Sequence, residues 1–249
     1  DSTWSDGRKV TAQDFIYIWL RVLDPATPTD YAHILFYIRG AKEFNQKKGP
    51  REGVAIRARD ERTLEVDLVT PLPFFLELCA FFTFAPVRKD LIEKFGSDWT
   101  RPANIAGNGP FKLKSWKPTE AIVVEKNPAY WNAAQVRQPF IRFVPITNRA
   151  TAWNLYTKGE IDVATTIPLD IVDQVVKRPD YRGGAYLATY YYAFNVTHGP
   201  LKDKRVRKAL ALAVDRDVLV TKITRKGEVP AYHITPPYFE GYSSPRIDD

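Results

Sequence analysis

Three histidines, one cysteine and a cluster of tyrosines are the side chains in this 249-residue chain whose chemistry could be put to use. His33, His198 and His233 lie far apart, with no HExxH and no carboxylate pair at ligand spacing, so each reads as a surface or packing histidine rather than a metal ligand. Cys79 sits inside the apolar run Phe74–Phe84. A lone thiol cannot close an internal disulfide, and its setting suits a small buried hydrophobe. There is no GxSxG elbow and no P-loop, and Gly107-Asn108-Gly109 lacks the rest of a GxGxxG pattern. Asp60 and Glu61 fall at a turn, whereas acid–base catalysis needs two carboxylates converging on one cleft. Asn195-Val196-Thr197 fits the glycosylation triplet, a pattern frequent by chance.

What remains is Tyr186, Tyr190, Tyr191 and Tyr192, in the β-prone run Ala185–Asn195. Two readings stand. The run can be a strand that buries alternate faces. It can equally be a tyrosine-lined ligand surface, where flat amphipathic rings give contact area at small entropy cost. Binding of single-stranded nucleic acid would require Lys or Arg among the aromatics. The run has none, and Arg182 and Lys202 are the nearest.

The elements that must position these residues can be read from periodicity. TAQDFIYIWLRV (11–22) places Phe15, Ile18, Trp19 and Val22 at helical spacing, with Thr11 and Asp14 as a capping box, and ends before Asp24-Pro25. Asp30–Phe44 reads as a second amphipathic stretch. Val54–Arg59 and Thr63–Leu68 alternate as a hairpin, and Phe74–Phe82 and Asp90–Phe95 read as short helices, the latter closed by Gly96. GNGPFKL (107–113), Val123–Lys126 and Phe140–Pro145 read as strands, and Thr151–Thr157 as a helix before Gly159. Ile161–Ala164 follows as a short strand and Leu169–Lys177 as a helix. Lys204–Thr224, capped by Asp203, places Val206, Leu210, Ala213, Leu219 and Ile223 on one buried face. Helices and strands mix without a strict βαβ rhythm, so the fold class is α/β with mixed α+β content.

A composition of 45% hydrophobic and 26% charged residues is globular and excludes a disordered chain. The length suggests one or two domains. The net charge of +7 raises the question of an anionic partner. Its densest stretch, Lys202–Lys226, is interrupted by Asp203, Asp215 and Asp217, which is the pattern of a solvated helix face. No apolar stretch reaches the roughly 18 residues of a membrane span. A chain that starts at Asp1 and contains no methionine is expected to be processed or part of a longer protein, so the lack of a leader does not speak against export.

Five segments in order carry a resemblance: WSDGRKVTAQDFIYIW (4–19), NGPFKL (108–113), EKNPAYWN (125–132), GEID (159–162) and DKRVRKALALAVDRD (203–217). Together they resemble the peptide- and nickel-type solute-binding proteins (family 5) of ABC importers. TYYYAFN and VPAYHITPPY are similar to stretches of the oligopeptide-binding members. The resemblance implies a periplasmic-binding-protein-like fold of two lobes with an extra small domain, incomplete in this chain. It assigns 1–87 to the small domain, 88–187 to the first lobe, and 188–249 to the crossing and the start of the second lobe. The acidic residue that holds a peptide's amino terminus would lie outside this chain.

It further implies a non-enzymatic binder without cofactor or metal, monomeric, that captures short peptides for membrane permease components. Such a protein is periplasmic or a cell-surface lipoprotein and does not bind nucleic acid. Peptide-contacting positions carried over are Tyr17, Thr165, Thr166, Tyr186, Ala188, Thr189 and Tyr191. Dipeptides, nickel complexes, haem or glutathione are alternative ligands within the family. A basic interaction module or an enzyme are the readings from other classes.

Overall fold

The structure, a computed structural model, describes residues 2–184, 186–239, 241–243 and 245. The chain forms two compact units, Asp1–Pro145 and Ile146–Asp249.

In the first unit the opening helix α1 spans Ala12–Leu23. The Thr11 main-chain N–H donates to Asp14 Oδ2 at 2.8 Å, and the Thr11 hydroxyl donates to the same oxygen at 3.2 Å, so two groups at the frayed end find a partner. Its apolar stripe buries Trp19, Val22 and Leu23. Trp19 Nε1 donates to the Phe84 carbonyl at 3.0 Å while its ring meets Phe84 edge-on at 5.1 Å. Around this pair gather Leu35, Ile38, Ala41 and Val54, all buried. An indole can be buried at this depth because its one polar atom is satisfied.

The expected helix over Asp30–Phe44 is broken. A 3-10 turn covers Ala32–Leu35 and the short helix α2 covers Ala41–Asn45. Between them Ile38 bridges Leu68, Arg39 N–H donates to Asp67 O, and Arg39 O accepts from Ala55 N–H, both at 2.9 Å. The segment thus extends the hairpin of β1 (Ile56–Ala58) and β2 (Leu64–Val66), whose antiparallel register pairs Arg57 with Glu65. Gly40, at φ +77°, makes the turn out of it, and an added Cβ there would lie 2.1 Å from the Gly53 carbonyl oxygen. The apolar run after Pro73 forms only α3 (Phe75–Leu78) and a 3-10 turn, Phe82–Phe84, with Cys79 half-buried between them.

Helix α4 (Lys89–Phe95) ends on Gly96 at φ +55°. An antiparallel sheet follows in the order β3 (Phe111–Lys117), β4 (Ala121–Lys126) and β5 (Phe140–Phe143), with an irregularity between Leu113 and Ser115. Asn127, fully buried, closes the end of this sheet. It donates through Nδ2 to Gly109 O at 2.9 Å, accepts at Oδ1 from Ala129 N–H at 3.1 Å, and donates its main-chain N–H to Pro110 O.

In the second unit α5 (Arg149–Thr157) is capped by Asn148, whose Oδ1 accepts from Thr151 N–H at 3.0 Å. The Arg178 guanidinium stacks over Trp153 at 5.4 Å, and the Tyr156 hydroxyl donates to Asp180 at 2.7 Å. The expected strand at Ile161–Ala164 is irregular, and Leu169–Lys177 forms a 3-10 turn leading into α6, Val172–Val175. The expected helix over Lys204–Thr224 is interrupted. Asp203 caps α7 (Lys204–Leu212), Asp215 caps α8 (Arg216–Val218), and a wider π turn spans Leu219–Thr224. Arg225 ties this end back to Asp173 and the Leu169 carbonyl. The face expected to be buried is open: Leu210, Leu219 and Ile223 are 44%, 42% and 49% exposed. The helical amphipathicity is present, but of this face only Val206 is half-buried, and Ala213 is exposed with the three others.

Gly40→Ala should destabilise the protein by more than about 2 kcal/mol, because left-handed strain adds to displacement of the Gly53 carbonyl. Gly7→Ala, also at positive φ but with open space around it, should cost about 1 kcal/mol. Urea unfolding of both variants checks the difference, and equal losses would mean that the close approach is relaxed at little cost.

Candidate ligand-binding site

The first unit is organised by a charged cluster that fixes the chain on either side of α1. Arg88, its side chain only 4% exposed, donates from Nε and Nη2 to the two oxygens of Asp90 and from Nη1 to Asp6, each at 2.7 Å. Its guanidinium also lies 5.8 Å from the centre of the buried Trp4 ring. Arg8 adds a contact to Asp90 at 2.8 Å. The same loop reaches the sheet, with Ser5 N–H on Gly107 O and Thr3 Oγ1 on Ala129 O, both at 2.8 Å.

Hydrogen bonds from Arg88 hold the Asp90 carboxyl at about 2, against partial burial, which alone would raise it. Burial likewise pushes Asp6 up, but Arg88 and the Arg8 main chain together outweigh it and leave its carboxyl below the usual range. Burial also raises the Cys79 thiol, which leaves it a poor nucleophile.

Tyr17 lies half-buried on α1, beside Gln13, Asp14 and Ile16 and opposite Arg51 and Lys89, around a shallow depression of about 350 Å³. Arg51 and Lys89 had no signal in the sequence, since their closeness to α1 arises only from the fold. The other candidate positions belong to the second unit. Thr165 and Thr166 are exposed in an irregular stretch. No hydrogen bond among the described residues joins them to the tyrosine run.

That run departs from the strand that would bury alternate faces. Tyr186, Tyr190, Tyr191 and Tyr192 are 86%, 86%, 63% and 80% exposed, so neither face is covered. Ala185 lies outside the described residues. Ala188 N–H turns back onto Tyr186 O at 2.7 Å, and Tyr190 meets Tyr192 edge-on at 5.9 Å. From Thr189 to Val196 no main-chain N–H donates to another described residue. Residues 189–194 therefore present main-chain donors and acceptors without a partner among the described residues, amid exposed aromatic rings. Its β-propensity was legible, but the lack of a strand partner was not. No three His, Cys, Asp or Glu side chains among the described residues gather as a metal site.

The sequence pattern of the bacterial extracellular solute-binding proteins, family 5 (middle region), matches residues 1–249. The chain belongs to that family. It is 42% identical over 246 residues to the periplasmic oligopeptide-binding protein OppA of Salmonella typhimurium, a match covering 97% of this chain and 45% of the relative. Among solved structures, OppA of Burkholderia pseudomallei superposes with a TM-score of 0.95 at 41% identity, over 100% of this chain and 50% of that one. OppA of Haemophilus influenzae in complex with RPPGFSPFR superposes with a TM-score of 0.89 at 32% identity, over 96% of this chain and 48% of that one.

The chain thus spans about half the length of the relatives it matches. The mixed α/β periplasmic-binding-protein fold is that of this family. Its relatives are solute-binding proteins rather than enzymes, and the Salmonella relative is periplasmic by name. No helix among the described residues is long and apolar enough to cross a membrane.

The charged cluster makes an acid prediction. Asp90 is depressed on folding, so its contribution is fully present above its unfolded value of 3.8 and is lost as pH falls through about 2. Asp90→Asn should therefore be less stable than wild type at pH 7, with the difference in urea midpoint closing between about pH 4 and pH 2. A difference that persists unchanged at pH 2 would deny the ion pair its role.

Proposed function

We propose that this chain is part of the extracytoplasmic solute-binding component of an ABC importer and that its ligands are oligopeptides. The observation that carries this reading is the largely exposed, β-prone stretch 189–194, whose main-chain groups have no partner among the described residues. An extended peptide offers the matching alternation of donors and acceptors and can add as a strand. Main-chain pairing is blind to sequence, and water can fill the space around varied side chains, which favours a broad range of peptides. The names of the relatives, with one solved in complex with RPPGFSPFR, support the same ligand class.

In this proposal Tyr186, Ala188, Thr189 and Tyr191 contact the peptide, with Thr165 and Thr166 on a neighbouring ligand-facing loop and Tyr17 facing ligand from the small domain. Residues 1–87 form that small domain, 88–187 much of the first lobe, and 188–249 the crossing and the start of the second lobe. Closure is a population shift, driven by a ligand that touches both lobes at once. The protein acts as a monomer, periplasmic or lipid-anchored at the cell surface, and delivers to permease subunits.

The whole protein, purified under native conditions, should carry a mixture of short peptides, detectable by mass spectrometry of the denatured extract. Recovery of haem, a nickel chelate or glutathione instead would move the ligand class, and recovery of none would count against capture of peptides. Within the run, Thr189→Pro removes one main-chain donor and should weaken peptide binding about three- to tenfold. Thr189→Ala keeps the donor and should change affinity little. Equal affinities for the two variants would mean that this main-chain group is not used.

A further inference from the structure

An asparagine followed by glycine can modify itself, and this chain has one such pair, Asn108-Gly109. The glycine nitrogen attacks the asparagine Cγ, a step that a side chain on the following residue obstructs and the conformational freedom of glycine permits. Eight asparagines stand in the sequence, and seven of them are restrained. Asn127 precedes a proline, whose nitrogen carries no proton to give up. Asn45, Asn104, Asn148 and Asn195 hold side-chain hydrogen bonds, to Leu23 O, Asp98 O, Thr151 N–H and the Thr197 hydroxyl in turn. Asn154 lies inside α5 before Leu155. Asn132 precedes Ala133, whose N–H donates to Tyr130 O at 3.0 Å.

Asn108 escapes each of these restraints. Its side chain makes no hydrogen bond to another described residue, and neither do its carbonyl and the Gly109 N–H. It is half-buried in an irregular loop, within reach of water. A Cβ added at Gly109 would meet nothing within 4 Å, so the space around the attacking nitrogen is open. The groups on either side are fixed. Gly107 O accepts from Ser5 N–H at 2.8 Å, and Gly109 O accepts from Nδ2 of the buried Asn127 at 2.9 Å. One unheld peptide group thus links two held positions. The corresponding acidic pair, Asp6-Gly7, is protected at both atoms. Asp6 accepts from Arg88 and from Arg8 N–H, and Gly7 N–H donates to Trp4 O at 2.8 Å.

We propose that Asn108-Gly109 is a self-modification site, where deamidation through a succinimide unlocks the junction between the Trp4–Arg8 loop and the β3–β4–β5 sheet. Gly109 N gives up its proton and bonds to Asn108 Cγ, the Cγ–Nδ2 bond breaks, and ammonia leaves carrying that proton. Water then opens the ring. Cleavage between the nitrogen and Cγ gives aspartate. Cleavage between the nitrogen and the former main-chain carbonyl gives isoaspartate, whose chain runs through Cβ and Cγ. Both products add a negative charge. Isoaspartate also lengthens the backbone by one atom between Gly107 O and Gly109 O, which pulls their two anchors out of register.

The test is incubation of the whole protein at neutral and mildly alkaline pH, followed by peptide mapping with mass spectrometric fragmentation that separates aspartate from isoaspartate. Asn108 should react first among the eight asparagines and faster at the higher pH, because the attacking nitrogen must shed a proton. Gly109→Ala should slow the reaction about three- to tenfold. Aged protein, separated by its added charge, should unfold at lower urea than fresh protein. Freshly purified Asn108→Asp, which has the charge without the longer backbone, should unfold with wild type. Asn108 left intact while another asparagine reacts, or equal rates in Gly109→Ala and wild type, would overturn the site. Aged protein as stable as fresh, or an equal loss in Asn108→Asp, would overturn the unlocking.

Discussion

The buried guanidinium of Arg88 constrains the first unit more than any other single group. A cation taken out of water is tolerated only when its donors are met by carboxylates of good geometry, and Asp6 and Asp90 provide three contacts at 2.7 Å. Both carboxylates keep some solvent, which limits what the pairs contribute to stability but not how sharply they specify position. Asp6 precedes α1, and Asp90 opens α4. Satisfying one guanidinium therefore sets where the helix bearing Tyr17 begins and where the chain leaves the small hydrophobic core.

This constraint explains why segments distant in sequence carry the family resemblance together. The WSDG loop does not act as a local motif. Its Ser5 and Thr3 bond to Gly107 and Ala129, which belong to or adjoin the NGPFKL and NPAYWN segments, and Asn127 joins those two segments to each other. Buried polar groups of this kind leave few alternative partners, because each unsatisfied donor or acceptor costs about 1–3 kcal/mol. Residue types at such a junction are restricted as a set, and so the segments appear as a set.

The sequence showed α1 to within a residue, with its Thr11–Asp14 box, as well as the 56–66 hairpin and the Asp203 cap, because each is decided by neighbours in the chain. Asp30–Phe44 misled because apolar periodicity cannot register Gly40 pressed against Gly53, a contact made only in the folded protein. The buried face over Lys204–Thr224 had the right period, but periodicity says that a face is apolar and not that anything covers it. Of the site, the tyrosines and Tyr17 were visible as residue types. Arg51 and Lys89, which line the depression beside Tyr17, were not, since they stand 28 and 66 residues beyond the end of α1 (Leu23) and meet it through tertiary packing.

The tyrosine run is the reverse case, a segment whose sequence favours a strand and whose backbone joins none among the described residues. In water this is tolerable, because solvent satisfies the free peptide groups. It stops being tolerable wherever that water is excluded, since every N–H and C=O left without a partner then carries its full desolvation cost of about 1–3 kcal/mol. On the proposed reading, a ligand that covers the run must replace those water contacts along its length. A peptide does so residue by residue, whatever its side chains. A sugar or a flat macrocycle would cover the tyrosine faces but leave the backbone row unmet. On the proposed reading, a preference for peptides as a class rests on the main-chain groups of residues 189–194 that have no partner among the described residues.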